Sequence, residues 1–176
     1  MFERAQAWCI HAGSGHWPDA DMLPVGAILQ DYGKDCRTKF THEEQITMLT
    51  LWCIMRSPLM IGGDMVYNDE FTLNLLTNSS VLEMLSQSRS AHPLFRREIG
   101  GNEIILWHAY RRDGGAYIAV FNAGESQAEL TFSLEEINID TEYVSFTELW
   151  TGERSDNAKA LSCSVAPHGA AVFFAD

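Results

Sequence analysis

Asp19 and Asp21 lie within Trp17-Pro18-Asp19-Ala20-Asp21-Met22-Leu23-Pro24-Val25-Gly26, the stretch of this 176-residue chain whose residue types and spacing could do chemistry. Two positions apart on an extended backbone, their carboxylates project from one face, beside the Trp17 ring. That combination suits a sugar: carboxylate oxygens accept hydrogen bonds from hydroxyls, while an aromatic ring covers an apolar sugar face. The same aspartates could instead satisfy backbone amides in a turn, as Asp commonly does in loops. A third use of Asp-x-Asp, gripping a cation bridged to a sugar nucleotide, needs several convergent ligands. No second acidic or histidine cluster is spaced to supply them.

Other reactive residue types are less informative. His11, His16, His42, His92, His108 and His168 follow no metal-ligand spacing. His42 at a helix start and His108 within a strand read as structural or exposed. Cys9, Cys36, Cys53 and Cys163 include no Cys-x-x-Cys pair, which argues against zinc and against a dense disulfide framework. Cys53, in an apolar helical stretch, reads as a buried thiol. No Gly-x-Ser-x-Gly elbow and no phosphate loop occur, and Gly62-Gly63 reads as a strand-end turn. Trp107 and Trp150 could form a carbohydrate platform, although strand tryptophans more often belong to a core. No metal and no cofactor is expected.

The elements that must position Asp19 and Asp21 change character near residue 90, which divides the chain into residues 1–89 and 90–176. Residues 2–10 resemble the end of a helix, broken by Gly13-Ser14-Gly15. Residues 16–24 are extended, because Pro18 and Pro24 forbid a helix. Thr41 with Glu44 forms a capping box for a helix through Met55 that stops before Pro58; its second half is apolar all round and must be covered on most sides. Residues 58–64 read as a buried parallel strand closed by glycines. Asp69 caps a helix over residues 71–76, and Ser80 with Glu83 forms a box for residues 81–85. This strand–helix alternation is the α/β pattern. Beyond residue 90, strands are expected at 103–110, 116–122, 128–132, 143–149, 161–165 and 170–174. Asp113-Gly114-Gly115 and Ala123-Gly124-Glu125 read as hairpin turns, so this half reads as an antiparallel sandwich.

The charge balance, 12 basic against 24 acidic residues, gives −12. That disfavours nucleic acid and anionic membrane surfaces as partners. The longest near-apolar run, residues 46–63, is interrupted by Arg56, Ser57 and Pro58, too soon for a membrane span. The amino terminus shows no signal-peptide pattern, and the compartment is open.

Gly15-His16-Trp17-Pro18-Asp19-Ala20-Asp21-Met22-Leu23-Pro24-Val25-Gly26 resembles the seventh-strand segment of the melibiase-type α-galactosidases, glycoside hydrolase family 27. Residues 51–64, Leu-Trp-Cys-Ile-Met-Arg-Ser-Pro-Leu-Met-Ile-Gly-Gly-Asp, resemble the family's seventh helix and eighth strand. Leu76-Thr77-Asn78 and Val81-Leu82 resemble its last barrel helix. Leu149-Trp150-Thr151-Gly152-Glu153 and Pro167-His168-Gly169-Ala170-Ala171-Val172-Phe173 resemble its carboxy-terminal β-sandwich. The resemblance therefore implies α/β plus all-β architecture: the last two to three βα units of a (β/α)8 TIM barrel, then an antiparallel β-sandwich.

It also implies a retaining hydrolase that releases terminal α-linked galactose or a related sugar through two aspartates, one nucleophile and one acid/base. By resemblance Asp21 and Met22 line the sugar pocket, with Asp19 and Trp17 shaping the loop beside them. The catalytic pair belongs to the family's fourth and sixth strands, so no catalytic residue is expected in this segment. A barrel takes roughly 250 residues, about 30 per unit, which leaves room for only two or three units before residue 90. The missing amino-terminal barrel portion is the expected partner, and without it the open strand edges should promote association. The alternative reading is a non-catalytic carbohydrate-binding or structural β-sandwich module.

Overall fold

The computed structural model describes residues 1–29, 33 and 36–176. Its first half is helical: α1 (Phe2–Cys9), a short antiparallel pair β1 (Ala27–Ile28) and β2 (Cys36–Arg37), α2 (His42–Ile54), a 3-10 turn (Met65–Tyr67), α3 (Glu70–Thr77) and α4 (Ser79–Gln87). The second half is all strand: β3 (Ser88–Ile99), β4 (Asn102–Arg111), β5 (Ala116–Asn122), β6 (Ala128–Ser133), β7 (Val144–Glu148), β8 (Arg154–Ala158), β9 (Ala160–Val165) and β10 (Ala170–Ala175).

The capping box at α2 forms as expected. The Thr41 hydroxyl accepts from Glu44 N at 3.2 Å, and the Glu44 carboxylate accepts from Thr41 N at 2.8 Å. Two of the four amides left open at a helix start are thereby satisfied. Leu49 to Ile54 are all buried, so this half of α2 is covered on every side. Asp69 caps α3 through Thr72 N. The Ser80–Glu83 box does not form. Asn78 takes the cap position of α4, accepting from Val81 N at 3.0 Å, and Glu83 instead pairs with Arg111 on β4.

A six-stranded sheet in the order β3-β4-β5-β10-β7-β8 faces a two-stranded sheet, β6-β9. One face of the large sheet packs Ile104, Leu106, Ile118 and Phe173 against Leu130, Phe132 and Leu161 of the small one. Its other face packs Ile105, Trp107, Phe121 and Val172 against α2 and α4. With both faces covered, every residue of β5 is buried, the composition of a central strand.

Three expectations need correction here. Ala123-Gly124-Glu125 is not a hairpin turn, because β5 and β6 lie in different sheets and the loop crosses between them. The crossing is fixed by Asn122, whose amide donates to the carbonyls of Ser126, Val165 and Ala166 and whose oxygen accepts from Gly124 N. Strands β3 and β8 were not foreseen: polar, charged residues with no clean alternation form them, β3 being held along its length by β4. Residues 58–64 do not form a buried strand. They make one parallel bridge, Leu23 with Ile61, through Leu23 N to Met60 O (2.7 Å) and Gly62 N to Leu23 O (2.9 Å). Met60 stays half exposed.

Candidate functional site

The ladder Leu23–Ile61 places the Trp17–Met22 turn directly against the carboxy-terminal end of α2. Gly63 allows the close approach: a Cβ there would meet Val25 O at 2.5 Å and Ala27 O at 2.8 Å. Asp64 N then reaches Ala27 O at 2.7 Å, so residues 23–28 and 60–64 run side by side.

The turn itself is not an extended strand. Asp21 adopts φ 74°, the left-handed region that Asp enters more readily than most residues. Asp19 and Asp21 therefore do not present their carboxylates in parallel. The Asp19 carboxylate folds back to accept from Asp21 N at 2.9 Å, and one oxygen of Asp21 accepts from Met22 N at 2.7 Å. Both aspartates thus do cap the backbone, and this self-capping is what builds the kink. The second carboxylate oxygen of Asp21 has no protein partner among the described residues and the side chain is exposed, so it is available to a ligand.

Three residues after the middle of α2 hold the turn from behind. The Trp52 indole donates to Asp21 O at 3.2 Å. The Ser57 hydroxyl accepts from Ala20 N at 2.9 Å. The Arg56 guanidinium lies 3.9 Å over the Trp17 ring. The turn forms one wall of a cleft of about 640 Å³ whose opposite wall is α1. Trp17, Asp19 and Asp21 line it together with Arg4, Trp8, His11 and His16. Met22 does not join them. It points into a separate, more apolar hollow of about 420 Å³, beside Met48, Trp52, Phe40 and His168. Of the four residues singled out from sequence, three share a cleft and one lies across the turn.

Arg4, Trp8 and His11 were missed. Arg4 and Trp8, at i and i+4, share one face of α1, a signal the sequence does carry, and His11 follows in the turn after the helix, its amide donating to Trp8 O. Trp52, Arg56 and Ser57 were also given no role, although Pro58 forces the helix to end there and turns its last residues towards the loop. Trp107 is wholly buried and is a core residue, not a platform; Trp150 is partly buried, its indole donating to Thr50 at 3.0 Å. His42 stacks on Phe71 at 3.7 Å, and His108 is buried. Cys53 is buried, and desolvation pushes its thiol up to about 12, so it stays protonated and inert. Among the described residues no three His, Cys, Asp or Glu side chains converge as a metal site, and none of their helices is long and apolar enough to cross a membrane.

Residues 1–87 match the family model described as alpha galactosidase A, and residues 101–175 match that of the alpha galactosidase C-terminal beta sandwich domain. The crystal structure of a GH27 β-L-arabinopyranosidase from Geobacillus stearothermophilus superposes with a TM-score of 0.90 at 38% identity, covering 100% of this chain and 40% of that one. Alpha-galactosidase 2 of Arabidopsis thaliana is 26% identical over 168 residues, covering 94% of this chain and 39% of the relative. Alpha-galactosidase I from Mortierella vinacea, at 24% identity and a TM-score of 0.80, shares the fold. The chain thus spans about two fifths of the length of these relatives. Two family models in sequence order and a whole-chain superposition agree: the chain belongs to glycoside hydrolase family 27, as a C-terminal portion made of the end of the (β/α)8 barrel and the β-sandwich that follows.

Proposed function

We propose that this chain is the C-terminal part of a retaining glycoside hydrolase that cleaves terminal α-linked galactose or a related sugar by double displacement, and that it supplies one wall of the sugar pocket. The observation that carries this reading is the Asp21 kink: a carboxylate with one oxygen locked on Met22 N and the other free, at the edge of a cleft walled by Trp17. The free oxygen accepts a hydrogen bond from a sugar hydroxyl, Trp17 offers ring surface to an apolar sugar face, and Asp19 fixes the direction of the Asp21 carboxylate by holding its amide. Met22, on the other side of the turn, lies in the neighbouring apolar hollow and takes part through its amide, which holds one oxygen of Asp21.

No residue of this chain is assigned to the covalent step. In a retaining mechanism two carboxyl groups stand about 5–5.5 Å apart, one attacking the anomeric carbon and the other donating and then abstracting the proton. Both are placed on the amino-terminal barrel portion, which docks on the open Leu23–Ile61 ladder. We set the boundary between the barrel part, residues 1–89, and the sandwich, 90–176, near the change from helix to strand. Helix α4 ends at Gln87, β3 begins at Ser88, and the stretch between the two matched family models supports a division here. The relatives include α-galactosidases and a β-L-arabinopyranosidase, which supports a galactose-like pyranose as the sugar.

Purified alone, the chain should hydrolyse neither p-nitrophenyl α-D-galactopyranoside nor p-nitrophenyl β-L-arabinopyranoside. Joined to the amino-terminal barrel portion of the arabinopyranosidase relative, it should hydrolyse one of them. Asp21→Asn should then lower kcat/KM by roughly 10- to 150-fold, the loss of one charge-assisted hydrogen bond worth ~1.5–3 kcal/mol. Turnover by the isolated chain that Asp21→Asn abolishes would overturn the assignment of the catalytic pair. An inactive chimera in which the isolated chain still binds sugar would favour a non-catalytic module.

A further inference from the structure

Helix α2 ends in a Schellman motif. Ser57 N donates to Trp52 O at 2.8 Å, and Arg56 N donates to Cys53 O at 3.1 Å. The residue that closes such a motif sits in the left-handed region, where glycine is cheapest. Here it is Arg56, at φ 62°. A non-glycine held in this region is a reason to ask what its side chain does.

The side chain reaches in two directions. Its planar face covers the Trp17 ring at 3.9 Å, and Nη1 donates to Ser88 O at 3.2 Å, on the first residue of β3. Ser88 is in turn tied to α2, its hydroxyl donating to Ile54 O at 3.0 Å. Among the described residues Arg56 forms no ion pair, and its charged neighbours, Arg89 and Arg112, are like-charged. Its cation is therefore stabilised by the Trp17 π-face and a backbone carbonyl, not by a carboxylate. The same left-handed turn aims the next residue, Ser57, at Ala20 N, so one helix end grips the site loop on both sides of Asp19.

We propose that Arg56 is a positioning residue for the sugar site: its guanidinium clamps Trp17 to the first strand of the sandwich and so fixes the Asp19–Asp21 turn. This rests on the reading of Asp21 as a sugar ligand, and it makes the sandwich half a support for the pocket. Arg56 touches no sugar. It acts through Trp17, and through Trp17 on the direction of the Asp21 carboxylate.

The test uses the 176-residue chain with Arg56→Gly, Arg56→Ala and Arg56→Lys, titrated with methyl α-D-galactopyranoside and methyl β-L-arabinopyranoside. Two readouts are followed by NMR: the sugar dissociation constant, and the Met22 response, which is the protection of the Met22 amide from hydrogen exchange by its bond to the Asp21 carboxylate. Arg56→Gly is the informative variant, because glycine fits the left-handed position and spares the helix end. If the side chain positions the site, Arg56→Gly and Arg56→Ala should both weaken sugar binding roughly 3- to 30-fold, the range of a partly buried cation–π contact. Both should also shrink the Met22 response, while Arg56→Lys recovers part of each. If Arg56 only closes the helix, Arg56→Gly should bind as well as the parent and keep the Met22 response, and the proposal is overturned. A parent chain that binds neither sugar, with a Met22 response that still collapses in Arg56→Gly, would leave the positioning role standing and move the test of the sugar-site reading to the chimera, where Arg56→Gly should lower kcat/KM by the same roughly 3- to 30-fold.

Discussion

Acidification should loosen the sandwich through one side chain, His108. Its ring is wholly buried on β4, edge-on to Tyr110 at 4.6 Å and 5.6 Å from the His92 ring, and among the described residues neither of its nitrogens has a hydrogen-bond partner. Burial first, and the neighbouring His92 second, push its pKa down from 6.5 to about 4. Each unit is worth 1.36 kcal/mol, so the difference amounts to about 3 kcal/mol. The sign follows from proton counting. Below pH 6.5 the unfolded chain takes up a proton that the folded chain refuses until about pH 4. Stability is therefore full above pH 6.5, falls through the interval and has lost this contribution near pH 4. Against a typical total of 5–15 kcal/mol, that is a large share. The assay is the urea midpoint measured from pH 7.5 to 4 for the parent and for His108→Phe, which fills the site without a titrating group. Comparing the two cancels the carboxylates whose pKa is lowered in the fold, such as Glu103, hydrogen-bonded by Arg96, and Asp156, hydrogen-bonded by Ser145 first and Arg154 second. The variant should match or exceed the parent at pH 7, since it removes an unpaired buried donor costing ~1–3 kcal/mol, and the gap should widen on acidification. A constant gap across the range, or a His108 ring that titrates near 6.5, would refute the reasoning.

Gly63→Ala places a methyl group within 3 Å of the Val25 and Ala27 carbonyls. It should push the two barrel segments apart and cost about 1–3 kcal/mol by overpacking, with amide exchange at Gly62 and Asp64 rising before any in the sandwich. Asn122→Ala removes the amide that joins the carbonyls of Ser126, Val165 and Ala166 inside the β5–β6 crossing. It should cost ~2–4 kcal/mol for the acceptors left unpaired, read as a lower thermal midpoint. Asn122→Asp, which turns a carboxylate towards carbonyl oxygens, should be worse than Asn122→Ala; the reverse order would mean that the cavity, not the hydrogen bonds, sets the cost.

The parts legible in the sequence are those governed by local chemistry. Thr41 and Glu44 announce a helix start because the two groups that satisfy each other lie within one turn. Strands β4, β5 and β10 announce themselves because their residues are apolar enough to be buried whatever they face. What escaped detection depends on partners far away in sequence. Strand β3 is rich in charge and carries a proline, yet forms twelve residues of strand because β4 lies beside it, with two register shifts absorbing the mismatch. The Ala123–Glu125 loop looks like a hairpin turn until Asn122 is seen pulling it across to the end of β9. Glu83 looks like a capping residue until Arg111, twenty-eight positions on, claims it.

The same distinction explains the candidate site. Asp-Ala-Asp implies parallel carboxylates only if the backbone is extended, and whether it is extended is decided outside the motif. The Trp52 indole pulls Asp21 O, Ser57 holds Ala20 N, and the Asp19 carboxylate takes the Asp21 amide. Those contacts turn Asp21 to φ 74° and leave its second carboxylate oxygen without a protein partner among the described residues, on the wall of the cleft. The pair of aspartates is thus asymmetric, one spent on geometry and one left for a ligand, and that asymmetry comes from a helix thirty residues downstream. It gives the two substitutions different signatures. Asp21→Asn keeps an oxygen for Met22 N and weakens only the ligand contact, so the fold and the Met22 amide environment persist while affinity falls. Asp19→Ala leaves the Asp21 amide without its acceptor and lets the left-handed turn relax, so the Met22 signal shifts before any sugar is added. Identical behaviour of the two variants would mean that the carboxylates act as an equivalent pair, and the asymmetric reading of the turn would fail.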